Sequence, residues 1–570
     1  MRINGSVVRG DGSTPSASSS EGVASYSMAE RENDLELAPQ ACTACKRQKR
    51  KCDKKLPQCS LCLRMMRECN YYESSTPASD RSTVLQDRIA ELEALLQQKD
   101  KQIQQQSISP CHSRQFYSPA ARLVNANPFE QFPALFFLDN EMFKEARMSI
   151  PRPSPPVPED IYQMLGNVDG LKGICERFFT ATHTWFPILS KKRFEIMLTD
   201  PGFEPLPDVA LLFSVMHLLT DEGSNCRNST RTNSYWSIKN YAVALEANAV
   251  MTPQVLQANV LIAAYEIGHA IYPAAYLSVG KCATLGRALG LDNRKDAPQM
   301  LRRYGAWAEL EELRRVWWAI LLLDRYIHLG LPGHALATED PFRNEVLPAD
   351  DAQFDLAEMA GSEPLYVGSP TSIKAGPFAR ACQAAHLLGK VIAVLNDLLR
   401  EAEDRFVTAL HIHRTLTAFI QLLQQEFFNS PDAYATPMAL AYSALMALCD
   451  PFCCTESNRG AHTVEEAELQ TVCISGIKTV ADDIAKFALQ LRLSMSLRPA
   501  AISPLISNCL YMGTVTFAWR VYEGEKAGTL DAYMLLRDTL GILNGRWAVG
   551  GEYLYSVDKA KELLYDSPLL

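Results

Sequence analysis

Six cysteines between residues 42 and 69 fall at C-x2-C-x6-C-x6-C-x2-C-x6-C, and this spacing constrains the chain more than any other feature. The intervals repeat: Cys42, Cys45 and Cys52 are followed at the same separations by Cys59, Cys62 and Cys69, with "DKKLPQ" between the two sets. About thirty residues bury too little apolar area to fold unaided, so bound metal must supply the missing stability. Zinc takes four thiolates tetrahedrally. One zinc leaves two cysteines idle, whereas two zincs need eight ligand positions, which six thiolates fill only if two of them bridge both metals. Each half then reads as a metal-binding turn leading into a short helix, and the pair as a pseudo-twofold unit.

A disulfide framework is the competing use of so many thiols. The first thirty residues are polar and rich in Ser and Gly and show no signal-peptide pattern. The other ten cysteines (Cys111, Cys175, Cys226, Cys282, Cys382, Cys449, Cys453, Cys454, Cys473 and Cys509) are scattered through apolar segments. This pattern fits an intracellular, reduced chain. No uncharged apolar run reaches the roughly 18 residues that span a bilayer, so no membrane partner is expected.

Charge separates the cysteine segment from the rest. Residues 41–70 hold nine Lys or Arg against Asp53 and Glu68, a formal +7, so the remainder carries −16 of the total −9. A basic island on an acidic chain implies a short segment that meets a polyanion. The halves differ. The first helix is expected over "KRQKRK" and the second over "LRMMRE", where Leu63, Met65 and Met66 replace bases. The first is therefore assigned to nucleic acid and the second to scaffold and packing. Lys46, Arg47, Arg50, Lys51, Lys54 and Lys55 are expected to bond phosphates and set register.

This stretch resembles the fungal zinc binuclear cluster family of DNA-binding transcription factors. The likeness covers all six cysteines, the basic run after Cys45, Asp53 after the third cysteine and Pro57 two residues before the fourth. It implies two zinc ions, with Cys42 and Cys59 bridging. It also implies that Lys49 reads base edges of a CGG-type triplet from the major groove of double-stranded DNA. Gln48 departs from the pattern, standing where many members carry a second basic residue. The run "KRQKRK" also has the composition of a nuclear import signal, and a nuclear location is expected.

Residues 1–40 read as disordered and 71–83 as a linker. Over 84–106, Leu85, Ile89, Leu92, Leu96 and Ile103 alternate by four and three, with Lys99 in the remaining core slot. That seam predicts a short coiled coil that makes a homodimer. The alternative is a single amphipathic helix packed on its own chain. A polar linker, 107–125, precedes helical patterns that run from 126 to 555, and 556–570 forms a tail; "GEYLYSVDKAKELLYDSPLL" mixes acidic and apolar residues and is a weak candidate for activation.

The fold expected is mainly α: the six-cysteine DNA-binding module, the short coiled coil and a large all-helical body. "QVLQANVLIAAYEIG" and "PMALAYSALMALC" are apolar around most of a helix and belong in a bundle interior. Catalytic signatures are missing: no G-x-S-x-G, G-x-G-x-x-G, phosphate loop or H-E-x-x-H is found. Asp324 and Arg325, charges in a very apolar helix, are expected to form a buried network with Arg314 or Arg315. The segments "WFPILSKKRFEIML", "VGKCATLGRALGLDNR", "ELRRVWWAILLLDRYIHLGLPGHAL" and "LPADD" resemble, in order, the fungal-specific transcription factor domain, over roughly 170–350. The likeness implies a regulatory body that works with the transcription machinery or coregulators, in some cases with a small-molecule effector. The expected function is a zinc-dependent, sequence-specific transcription regulator, leaning to an activator of a metabolic or secondary-metabolite gene set. The competing readings are an enzyme, or a scaffold, whose zinc module serves only for targeting or protein contacts.

Overall fold

A computed structural model describes residues 37–38, 40–71, 132–221, 231–292, 306–358, 364–370, 373–397, 402–453, 463–525 and 528–565. The coiled-coil positions Leu85, Ile89, Leu92, Leu96 and Ile103 lie outside the described residues, as do both polar linkers but for Tyr71. The chain divides into two compact units, Met1–Ala120 and Ala121–Leu570. Among the described residues there is no strand, only the isolated bridges Leu37 to Lys55 and Val346 to Tyr366.

In the first unit, α1 spans Thr43–Arg47 and α2 spans Ser60–Arg64, with Cys42 and Cys59 at the N-caps. The two helices end alike. Lys49 N–H donates to Lys46 O and Arg50 N–H to Cys45 O; Met66 N–H donates to Leu63 O and Arg67 N–H to Cys62 O. This double bond pattern around a left-handed residue satisfies the last helical carbonyls. Lys49 at φ 49° and Met66 at φ 48° are those residues. The position usually goes to glycine, and a side chain there costs about 1 kcal/mol.

Two expectations are corrected here. The first helix does not extend over "KRQKRK": it stops at Arg47, and Lys49 stands in the turn beyond it. Leu63, Met65 and Met66 of the second half are exposed, at 64%, 49% and 96%. The ordered module also begins before residue 41. Leu37 pairs with Lys55, and buried Ala38 donates its N–H to Lys54 O at 2.8 Å.

The second unit is helical, around one continuous core that runs from Ile161 to Val557. Its central helices are α3 (Pro207–Thr220), α4 (Pro253–Gly268), α5 (Trp307–Ile327), α6 (Pro377–Asn396), α7 (Ala402–Asn429), α8 (Pro431–Cys449), α9 (Val464–Leu497), α10 (Ser507–Tyr522) and α11 (Val549–Tyr565). Every residue of α4 from Val255 to Gly268 is buried, which accounts for its near-uniform apolar sequence. Thr252 caps its start by accepting from Val255 N–H, and Pro253 occupies the first turn, where its missing N–H costs nothing. α6 is the one described helix of sufficient length and apolarity to cross a membrane, yet 72% of that window is buried inside the body. α11 runs to Tyr565, so most of the expected tail 556–570 is helix, and Val557 is part of the core.

Buried charge pins one long loop to α5. Arg315 is fully buried; it donates to Glu311 Oε1 at 3.1 Å, Asp351 Oδ1 at 2.7 Å, Pro187 O at 3.1 Å and Ala349 O at 2.8 Å. Arg325 donates to Asp324 Oδ2 at 2.8 Å, Glu339 O at 3.0 Å and Asp340 Oδ1 at 3.2 Å. Asp324 in turn accepts from the backbone N–H groups of Ala337 and Thr338. Asp324 and Arg325 are thus buried and paired, but with each other and with residues 337–340; Arg315 serves a separate network. A methyl group on Gly389 would lie 2.9 Å from Asp340 Oδ1 and 3.1 Å from Arg325 Nε, so this position needs a glycine for close approach.

Candidate metal centre and nucleic-acid interface

The two short helices point their cysteines at one another. Cys42, Cys45, Cys59 and Cys62 are buried, and Cys52 and Cys69 are half-buried. The sulfurs form two groups of four: Cys42, Cys45, Cys52 and Cys59, and Cys42, Cys59, Cys62 and Cys69. Within each group all sulfurs lie within 4.8 Å of one another. Cys42 and Cys59 belong to both.

The dimensions fit zinc. With Zn–S near 2.3 Å, a regular tetrahedron of thiolates has edges of about 3.8 Å. The shared edge Cys42–Cys59 is 3.8 Å, Cys42–Cys52 is 3.9 Å, Cys45–Cys59 is 3.7 Å and Cys42–Cys62 is 3.7 Å. Four thiols at such spacing without metal have no reason to converge in so small a fold. Burial drives the Cys62 thiol up to about 12. At Cys59 burial pushes the same way but is outweighed by the Cys62 N–H and by neighbouring thiols, so its pKa falls below the ordinary thiol value. Zinc would supply the positive charge that keeps all six sulfurs ionised together.

Other bonds hold the halves around this cluster. Asp53, which follows the third cysteine, accepts from Ser60 N–H at 3.0 and 3.3 Å, at the first turn of α2. That bond to Ser60 holds its carboxyl below the usual range, and a carboxylate there suits a helix N-terminus. Tyr71 donates its hydroxyl to Lys55 O at 3.1 Å, and Thr43 N–H donates to Asn70 O at 3.1 Å, so the chain closes on itself.

Lys46 and Arg47 lie in the last turn of α1, where cations also favour the helix C-terminus. Lys49, Arg50 and Lys51 follow in the turn towards Cys52; these five and Lys55 are exposed, while Lys54 is half-buried beside the bridge to Leu37. All seven positions fall on the first half and the segment that joins it to α2. Sequence reading missed the contact between the halves: Arg67 Nη1 donates to Gln48 Oε1 at 2.8 Å, and Gln58 Nε2 donates to Arg67 O at 2.7 Å. The repeat gave no signal for it, since the equivalent positions, Met65 and Arg50, set a thioether rather than a carboxamide opposite the guanidinium.

A two-zinc, six-cysteine fold with a basic turn on one half defines a class: zinc-dependent DNA-binding regulators of transcription. The comparisons agree. The fungal Zn(2)-Cys(6) binuclear cluster domain matches residues 40–79, and the fungal specific transcription factor domain matches residues 175–365. The chain is 38% identical over 180 residues to transcription factor BOA15 of Botryotinia fuckeliana, covering 32% of this chain and 98% of that protein. It is 25% identical over 409 residues to the azaphilone cluster-specific transcription factor azaR of Aspergillus niger, covering 67% and 79% respectively. With the pigment biosynthesis transcriptional activator pigB of Monascus ruber it shares 24% identity over 340 residues, covering 57% and 58%. No solved structure matches the chain. This chain belongs to the fungal Zn(2)-Cys(6) transcription factors that carry the fungal-specific transcription factor domain. It is a sequence-specific DNA-binding transcription regulator that uses two zinc ions, not an enzyme.

Proposed function

We propose that this chain is a nuclear activator of a secondary-metabolite biosynthetic gene cluster, and that it recognises CGG-like half-sites through the turn after α1. The observation that carries the reading is the sharing of Cys42 and Cys59 between two four-sulfur groups, with an exposed run of cations between Cys45 and Cys52. In this reading Cys42, Cys45, Cys52 and Cys59 hold one zinc, and Cys59, Cys62, Cys69 and Cys42 hold the other. Lys49 reads base edges, while Lys46, Arg47, Arg50, Lys51, Lys54 and Lys55 neutralise phosphates. The activator role and the type of target rest on relatives whose names describe azaphilone, pigment and depudecin biosynthesis regulators.

A homodimer through 84–106, with Leu85, Ile89, Leu92, Leu96 and Ile103 on the seam, would set half-site separation. The helical body is assigned to regulation through coregulators, with a small-molecule effector as one input. Genome-wide occupancy combined with transcript changes on deletion tests the whole reading. The expected result is occupancy at promoters of one biosynthetic cluster and loss of its transcripts. Occupancy without transcript change, or a rise in those transcripts, would contradict activation.

A further inference from the structure

Arg67 belongs to the second half of the module, yet its guanidinium lies on Gln48 at the reading end of the first. An arginine only donates hydrogen bonds, so the bond from Nη1 at 2.8 Å fixes which end of the Gln48 carboxamide is oxygen. Arg67 is itself anchored on its backbone: its N–H donates to Cys62 O at 3.0 Å, and its O accepts from Gln58 Nε2 at 2.7 Å. Gln48 is the C-cap of α1, immediately before Lys49, and both are exposed.

The internal repeat shows that this contact is not a by-product of symmetry. The pair equivalent to Gln48 and Arg67 is Met65 and Arg50, and a thioether is a weak acceptor for a guanidinium. Only one side of the pseudo-twofold therefore has a carboxamide locked beside its left-handed turn, and it is the side that carries Lys49 rather than Met66.

We propose that Gln48 is a base-reading residue, set by Arg67 to act as a hydrogen-bond donor. A free glutamine reads adenine by accepting from N6 and donating to N7. With Oε1 engaged by Arg67, the Gln48 side chain faces DNA with its N–H2 group. It then favours acceptor edges, guanine N7 and O6 or thymine O4, and disfavours adenine N6. Lys49 beside it is likewise donor-only, so the two residues together select a run of acceptor edges. Arg67 is a positioning residue. The inference rests on the proposed docking of the Lys49 turn.

The test is selection of binding sites from a randomised duplex library by the zinc-loaded full chain, comparing wild type with Gln48→Met, Arg67→Ala, the double variant and Lys49→Ala. Zinc content is measured on each. Gln48→Met is expected to relax the preference at one base step by about fivefold to tenfold and leave the others. Arg67→Ala is expected to admit adenine at that same step, and the double variant to be no worse than Gln48→Met alone. An unchanged base preference in Arg67→Ala overturns the inference, as does an equal loss on all sequences or multiplied losses in the double variant. Should Arg67→Ala release zinc, Gln48→Met decides alone: relaxation at one step supports the inference, and an unchanged site overturns it. Lys49→Ala separates the two levels, because intact discrimination in that variant refutes the docking itself.

Discussion

Lys49 and Met66 occupy the same point of two matching turns, each left-handed and each bonded back to its own helix by the same pair of amides. One backbone thus presents an ammonium on one side of the pseudo-twofold and a thioether on the other. Lys49→Ala is expected to cost about 1–3 kcal/mol of discrimination between specific and random duplexes. Met66→Ala should leave both affinities within about twofold. Lys54→Ala should weaken all sequences alike and reduce the salt slope by about 1. Competition binding at several salt concentrations checks all three, and loss of discrimination in Met66→Ala would show that the second half reads DNA.

Arg315 is the anchor of the helical body. Removing it takes away one of the two arginine partners of buried Glu311, leaving Arg314, and strips Asp351, Pro187 O and Ala349 O of their donor, so Arg315→Ala is expected to cost about 2–3 kcal/mol. Denaturant unfolding followed by helical signal measures this, with zinc content as the control. The expected outcome is destabilised helices and two retained zincs. Gly389→Ala, which crowds Arg325 and Asp340, should cost about 1–3 kcal/mol by overpacking.

These two sites show where sequence was sufficient and where it was not. The repeat in cysteine spacing already implied two metals and shared ligands, because counting ligand positions needs no coordinates. The ends of the helices were hidden, since neither turn carries the glycine that normally marks a left-handed residue; Lys49 and Met66 adopt it instead. The buried charge of Asp324 and Arg325 was legible from their apolar helix. Their partners at 337–340 were not, because a loop folding back on α5 leaves no periodic trace. The Gln48–Arg67 bond joins residues 19 apart in sequence, and only the fold brings them together.

His269 gives the body a pH dependence. Its ring lies 4.2 Å from that of Tyr265 and 5.2 Å from that of Trp547. Burial, assisted by the Arg546 charge, pushes its pKa from 6.5 down to about 3. Below pH 6.5 the unfolded chain takes up a proton that the folded chain refuses. The unfolded state therefore binds more protons, and stability falls as pH drops from about 6.5 towards 3, by up to about 1.4 kcal/mol per pH unit. Unfolding at about pH 7 and about pH 5 should show this slope in the wild type and a shallower one in His269→Phe. Equal slopes would remove His269 from the account.

Chelation should separate the two units functionally. Stripping zinc is expected to abolish specific DNA binding while leaving most helical signal, because the long helices belong to the body and the metal-bearing helices have five residues each. Circular dichroism and duplex binding on the same chelated sample check it. A collapse of the helical signal would mean that the body depends on the metal.

The central claim is that six thiolates hold two zincs by sharing Cys42 and Cys59. Native mass spectrometry of the full chain counts the metals directly. The account predicts two zincs per chain and at most one after Cys42→Ala, because the five thiolates that remain complete one tetrahedron and not two. A single zinc in the wild type, or two firmly retained after Cys42→Ala, would contradict it.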